Sequence, residues 1–188
     1  MRLILLLQLC CSSFVIGQEI RFYREDITFQ IAPGSFFVDL YYWFSNPSNT
    51  SVEKLIFFPF GAGNTKEIVD SVELFNITKG TVHDILNRNN SGFYFVLNMT
   101  QGDTVIMRIQ YRQKIVSDSV LYVLRSTLYW QRPIESAEYK LRIGKLMSIT
   151  KFSIVPDTVY TIEDENIYYW KRNNFMPQID FIFHFKPL

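Results

Sequence analysis

The sequence predicts an all-β fold, an antiparallel two-sheet β-sandwich of about ten strands, and three observations predict it. Apolar side chains recur at every second position along most of the chain, the spacing that buries one face of a strand. Turn-forming residues interrupt those runs at intervals of roughly 8–16 residues. Hydrophobic residues make up 48% of the chain and aromatics 16%, enough for a large core, while helical periodicity is weak everywhere.

Taken in order, Ile27, Phe29 and Ile31 alternate with Thr28 and Gln30 before Ala32-Pro33-Gly34 turns the chain. Phe36, Val38, Leu40, Tyr42 and Phe44 then fill one face of a strand, which sends Phe37, Asp39, Tyr41 and Trp43 to the other. Ser45-Asn46-Pro47-Ser48-Asn49 is the next turn, and a strand around Leu55–Phe58 stops at Pro59 and Gly61-Ala62-Gly63-Asn64. The clearest signal sets Val105, Met107, Ile109 and Tyr111 against Arg108, Gln110, Arg112 and Lys114. That strand is expected to pair with Phe93–Met99 as a hairpin through Gln101-Gly102-Asp103. Ala137, Tyr139, Leu141 and Ile143 repeat the pattern against Glu138, Lys140 and Arg142. Further strands are expected near 149–155, 158–163, 166–171 and 178–185.

The first seventeen residues carry an address. Arg2 precedes an apolar run from Leu3, and Val15-Ile16-Gly17 suits cleavage before Gln18, the pattern of a secretory signal peptide. Residues 18–188 then form a single β-sandwich domain. Arg2 is the only charge in the leader, so the remainder carries 18 cations and 18 anions, interspersed along the chain. A balanced surface disfavours nucleic acid as a partner. Cys10 and Cys11 both lie in the leader, so the mature domain is disulfide-free and rests on its core. A cysteine-free secreted domain points to a bacterial envelope: export across the inner membrane to the periplasm, the surface or the medium. A lipid anchor on Cys10 or Cys11 is disfavoured because Leu9, before Cys10, stands where a small residue is needed. No later run approaches the roughly twenty apolar residues of a transmembrane helix.

Two segments carry a resemblance. Tyr41-Tyr42-Trp43-Phe44-Ser45-Asn46-Pro47 leads into Leu55-Ile56-Phe57-Phe58-Pro59-Phe60, and Tyr129-Trp130-Gln131-Arg132-Pro133-Ile134-Glu135 leads into Ala137-Glu138-Tyr139. Together they resemble uncharacterised secreted bacterial proteins with an immunoglobulin-like β-sandwich domain. The resemblance implies that fold and compartment and brings no catalytic residues with it.

Candidate chemistry is sparse. His83 and His184 are the only histidines, so with no mature cysteine the remaining ligands of a zinc site would all have to be carboxylates. Gly61 and Gly63 lack the third glycine and following helix of a nucleotide loop. Glu163-Asp164-Glu165 has no calcium-loop spacing and reads as a solvated turn. No Gly-x-Ser-x-Gly elbow accompanies the serines. Asn49, Asn76, Asn89 and Asn98 begin N-glycosylation sequons, although Asn and Ser/Thr are common in turns anyway. The expectation is therefore no catalytic, metal or cofactor site.

Aromatic side chains remain as the candidate ligand-binding set: Tyr41 and Trp43 on the face opposite Tyr42, and Tyr129 and Trp130 beside Pro133. The expected function is a non-enzymatic domain that binds or scaffolds a protein or glycan partner. A carbohydrate-binding module stacking sugars on these rings is one alternative. A small outer-membrane barrel is another, although Lys186-Pro187-Leu188 spoils an aromatic C-terminal strand end.

Overall fold

A computed structural model describes residues 20–61 and 68–187. The leader, its cleavage site, both cysteines and Gly63 lie outside the described residues. The described chain is all-β, with fourteen strands. They are β1 (Arg21–Ala32), β2 (Ser35–Ser45), β3 (Val52–Pro59), β4 (Val69–Asn76), β5 (Thr81–Val82), β6 (Leu86–Asn89), β7 (Gly92–Met99), β8 (Thr104–Lys114), β9 (Ser119–Tyr122), β10 (Ile134–Gly144), β11 (Met147–Phe152), β12 (Thr158–Ile162), β13 (Glu165–Phe175) and β14 (Phe181–Pro187). A 3-10 helix, Arg125–Trp130, joins β9 to β10.

The main sheet has eight strands in the order β12-β13-β10-β1-β2-β8-β4-β5. Its inner face is the set of alternating apolar residues read from the sequence: Ile27, Phe29 and Ile31 on β1, Phe36 to Phe44 on β2, Val105 to Tyr111 on β8, and Ala137 to Ile143 on β10. Two three-stranded sheets cover that face. In β11-β14-β9, Phe181 and Phe183 pack on Phe29, Tyr139 and Trp170. In β3-β7-β6, Phe58 meets Tyr42 and Tyr111.

This architecture corrects the expected immunoglobulin-like, fully antiparallel sandwich in two respects. The second layer is two separate sheets. The main sheet is mixed, because β1 runs parallel to β10, with Ile27 opposite Tyr139 and Phe29 opposite Leu141. Among the described residues the main sheet has open edges at β12 and β5, so it does not close into the alternative barrel.

The expected hairpin is also absent. β7 pairs with β3 and β6, whereas β8 pairs with β2 and β4, so the turn between them crosses layers. Buried Asn46 holds that corner: its Nδ2 donates to the carbonyls of Thr50 and Thr100, and its own carbonyl accepts from Gly102 N–H. One side chain thereby ties the β2–β3 crossing to the β7–β8 crossing. At the other end of β7, Gly92 allows close approach to β3. A Cβ there would lie 2.1 Å from the Phe58 carbonyl oxygen and against the Phe57 ring.

Candidate ligand-binding groove

The 3-10 helix positions the site. Six residues are too few for a helix to stand alone, and tertiary contacts hold this one at both ends. Asp180, from the segment before β14, accepts from the Arg125 backbone N–H at 2.8 Å and from its Nε at 3.0 Å. At the other end Trp130 lies against Phe22 and Phe44, with ring centroids 5.6 and 5.5 Å away. Gln131 closes the helix in a left-handed conformation, its N–H bonded to the Leu128 carbonyl.

With Trp130 turned into the core edge, Tyr129 projects outward and is 88% exposed. Facing it, β3 presents Leu55 and Phe57, both exposed. Between them lies an open groove of about 760 Å³. Its walls are apolar, and its polar groups are few: Lys54, Arg125, Ser126 and Asp180. The Lys54 ammonium sits 4.7 Å from the centre of the Trp130 ring, within cation–π range. Beneath the groove, between Trp130, Phe57 and Tyr42, is a small cavity of about 30 Å³.

Below that cavity the core becomes polar. The Tyr42 and Tyr122 hydroxyls hydrogen-bond at 2.8 Å, and the Tyr139 hydroxyl donates to Glu25 Oε1. Glu25 is completely buried, and its Oε2 has no partner among the described residues. Burial pushes its carboxyl up to about 8, partly opposed by the Tyr139 hydrogen bond. Glu25 is therefore a neutral acid at pH 7.

The four sequence-predicted binding residues divide into two pairs on opposite faces of the main sheet. Tyr129 and Trp130 meet in the groove. Tyr41 and Trp43 do lie on the outer face, but their rings are tilted by 37° and covered by cations. The Arg24 guanidinium sits 4.5 Å above Trp43 and is paired with Asp26, while Arg108 sits 5.4 Å above Tyr41 and is paired with Asp39. These two rings are capped and do not form an open stacking platform.

Lys54, Leu55, Phe57 and Leu128 were not anticipated. For Leu55 and Phe57 the signal is the unbroken run Leu55-Ile56-Phe57-Phe58, whereas Lys54 and Leu128 lie outside it. In the structure β3 belongs to the outer layer, so alternate members of the run emerge at the groove.

The remaining candidates have ordinary places. His83 Nε2 lies 2.8 Å from the Val96 carbonyl, and His184 is half-buried on β14 opposite Lys151 and Ser119. Glu163 and Asp164 form the β12–β13 turn and Glu165 opens β13; Lys145 pairs with Asp164 and Arg142 with Glu165. Asn76 is buried and accepts from Lys79 N–H, whereas Asn49, Asn89 and Asn98 are exposed. Among the described residues no three His, Cys, Asp or Glu side chains converge on a metal-sized site. No helix among them is long and apolar enough to cross a membrane.

No family model matches this chain, and neither does any curated protein. Solved structures do share its fold. A Legionella pneumophila protein whose suggested role is nutrient binding superimposes with a TM-score of 0.74 at 15% identity, over 90% of this chain and 67% of that one. An M1 zinc metallopeptidase from Deinococcus radiodurans superimposes with a TM-score of 0.52 at 9% identity, over 88% of this chain. The chain spans 42% of that enzyme's length. At these identities the likeness is one of fold.

Proposed function

We propose that this chain is a secreted, non-enzymatic binding domain of a cell envelope or surface, and that the groove between β3 and the 3-10 helix holds its ligand. The observation that carries this reading is the exposure of Tyr129, Leu55 and Phe57 around a single concavity. Its volume falls within the range of small-molecule sites, roughly 300–1,000 Å³, and so does its make-up of apolar walls with a few polar groups. The ligand class is a small amphipathic molecule. An apolar ring or chain would lie along Leu55, Phe57 and Tyr129, oriented by polar groups near Lys54 and Ser126. Asp180, the carboxylate at the groove, is engaged by Arg125 in fixing the helix, which favours binding over acid–base chemistry. The nutrient-binding role suggested for the Legionella protein agrees with this class of function.

The aromatic anion 8-anilinonaphthalene-1-sulfonate tests the reading. Saturable fluorescence enhancement with one site is expected. Tyr129→Ala and Leu55→Asp, both at exposed positions, are expected to weaken it about tenfold or more without moving the unfolding midpoint. No saturable binding, or binding indifferent to both substitutions, would remove the groove as the site.

A further inference from the structure

On the other face of the main sheet, the strand register lines side chains into rows. One row crosses β10, β1, β2, β8 and β4 as Arg142, Gln30, Phe37, Arg112 and Ser71. The neighbouring row carries Thr28, Asp39, Gln110 and Glu73. Together they enclose a shallow depression of about 380 Å³.

Among the β2 rings on this face, Phe37 is the outlier. Trp43 and Tyr41, further along β2, are each covered by a guanidinium, whereas Phe37 is 37% exposed and has no cation over its ring among the described residues. Its surroundings are polar and planar. The Gln30 and Gln110 amides make no hydrogen bond to another described residue. The nearby guanidiniums are already neutralised, Arg112 by Asp70, Arg142 by Glu165 and Arg108 by Asp39.

We infer that this depression is a second binding site, separate from the groove, and that it takes one pyranose unit of a neutral oligosaccharide. A pyranose presents an apolar C–H face and a rim of hydroxyls, each both donor and acceptor. The uncovered Phe37 ring meets the C–H face by ring stacking. The Gln30 and Gln110 amides, with Glu73 and Ser71, meet the rim. Ion-paired arginines leave no uncompensated cation there to favour an acidic sugar. A charged ligand would also have to break those pairs. The aromatic that serves a glycan is then Phe37, in place of the capped Tyr41 and Trp43.

The test is isothermal titration of the full domain with maltohexaose, cellohexaose, mannohexaose and xylohexaose, using Phe37→Ala, Gln110→Ala and Tyr129→Ala alongside. At least one of these sugars is expected to bind. Phe37→Ala is expected to weaken that binding about tenfold or more and Gln110→Ala about threefold or more, with Tyr129→Ala unchanged. Circular dichroism of the variants separates lost binding from lost fold, and Gln110→Ala reads the site independently of the ring. Failure of all four sugars to bind would overturn the inference. So would binding that survives both outer-face substitutions, or binding lost only in Tyr129→Ala, which would assign the sugar to the groove.

Discussion

Raising the pH from 5 to 9 is expected to remove on the order of 4 kcal/mol of folding stability, and Glu25→Gln is expected to abolish most of that loss. Glu25 is fully buried, and its folded-state carboxyl is held up to about 8, against an ordinary value of 4.5, chiefly by burial. The folded protein therefore keeps this proton through a range in which the unfolded chain has released it. Between those two values the unfolded state binds fewer protons, so stability falls as pH rises, at about 1.4 kcal/mol per pH unit. The contribution is complete below 4.5 and gone once pH has passed 8. Other perturbed carboxylates do not confuse the window: the Arg112 hydrogen bond holds Asp70 low, Thr100 holds Asp103 low, Lys145 holds Asp164 low and, against its burial, the Lys171 N–H and Arg172 hold Asp157 low, so all four titrate below it. Glutamine cannot ionise and still offers a carbonyl oxygen to the Tyr139 hydroxyl. Urea unfolding of both proteins across this range checks the prediction. Parallel losses in the two would show that Glu25 is not the source.

Trp170→Ala is expected to cost about 3–5 kcal/mol, among the larger effects available to a single core truncation. Trp170 is completely buried, its ring lying 5.2 Å from Phe181, 5.8 Å from Phe152 and 6.0 Å from Phe183. Its Nε1–H donates to the Ile154 carbonyl at 3.0 Å. It therefore locks the β11-β14-β9 sheet onto the main sheet at the junction of the two layers. Trp170→Phe keeps much of the ring packing and loses the donor, and about 1–2 kcal/mol is expected from it. Urea midpoints at constant slope measure both. A loss under about 1 kcal/mol for the alanine variant would mean that this layer contributes little to the cooperative unit.

The faces of the long strands were legible in the sequence. Phe36 to Phe44 on β2 and Val105 to Tyr111 on β8 are buried at the alternate positions read from periodicity. Their partners were not legible. Period two reports which side is covered and is silent on which strand lies beside it, so Phe93–Met99 was paired with its sequence neighbour when it belongs to another sheet. The parallel pairing of β1 with β10 was hidden for the same reason. Both strands alternate as half-covered strands do, whereas parallel strands more often read as continuous apolar runs. The strands that raise the count above ten include β5, β6 and β9, which span two to four residues and are too short to show a period.

The candidate groove was legible in part. Tyr129 and Trp130 stood out as adjacent rings before Pro133, but a six-residue 3-10 helix leaves no periodic trace, and Lys54 and Leu55 lie some seventy residues away in sequence. The outward direction of Tyr41 and Trp43 follows from alternation. That arginines cover them depends on register, because Arg24 and Arg108 reach those rings only once β1 and β8 flank β2.

The chain's three tryptophans test the central claim most directly, because each occupies a different place: Trp43 on the outer face, Trp130 in the groove and Trp170 in the core. Protein labelled with ¹⁵N-tryptophan gives one indole N–H signal from each, assigned by single Trp→Phe variants. Titration with 8-anilinonaphthalene-1-sulfonate is expected to shift the Trp130 signal while those of Trp43 and Trp170 stay in place. Movement of Trp43 with Trp130 unchanged, or no movement of Trp130 at saturation, would contradict the groove as the binding site.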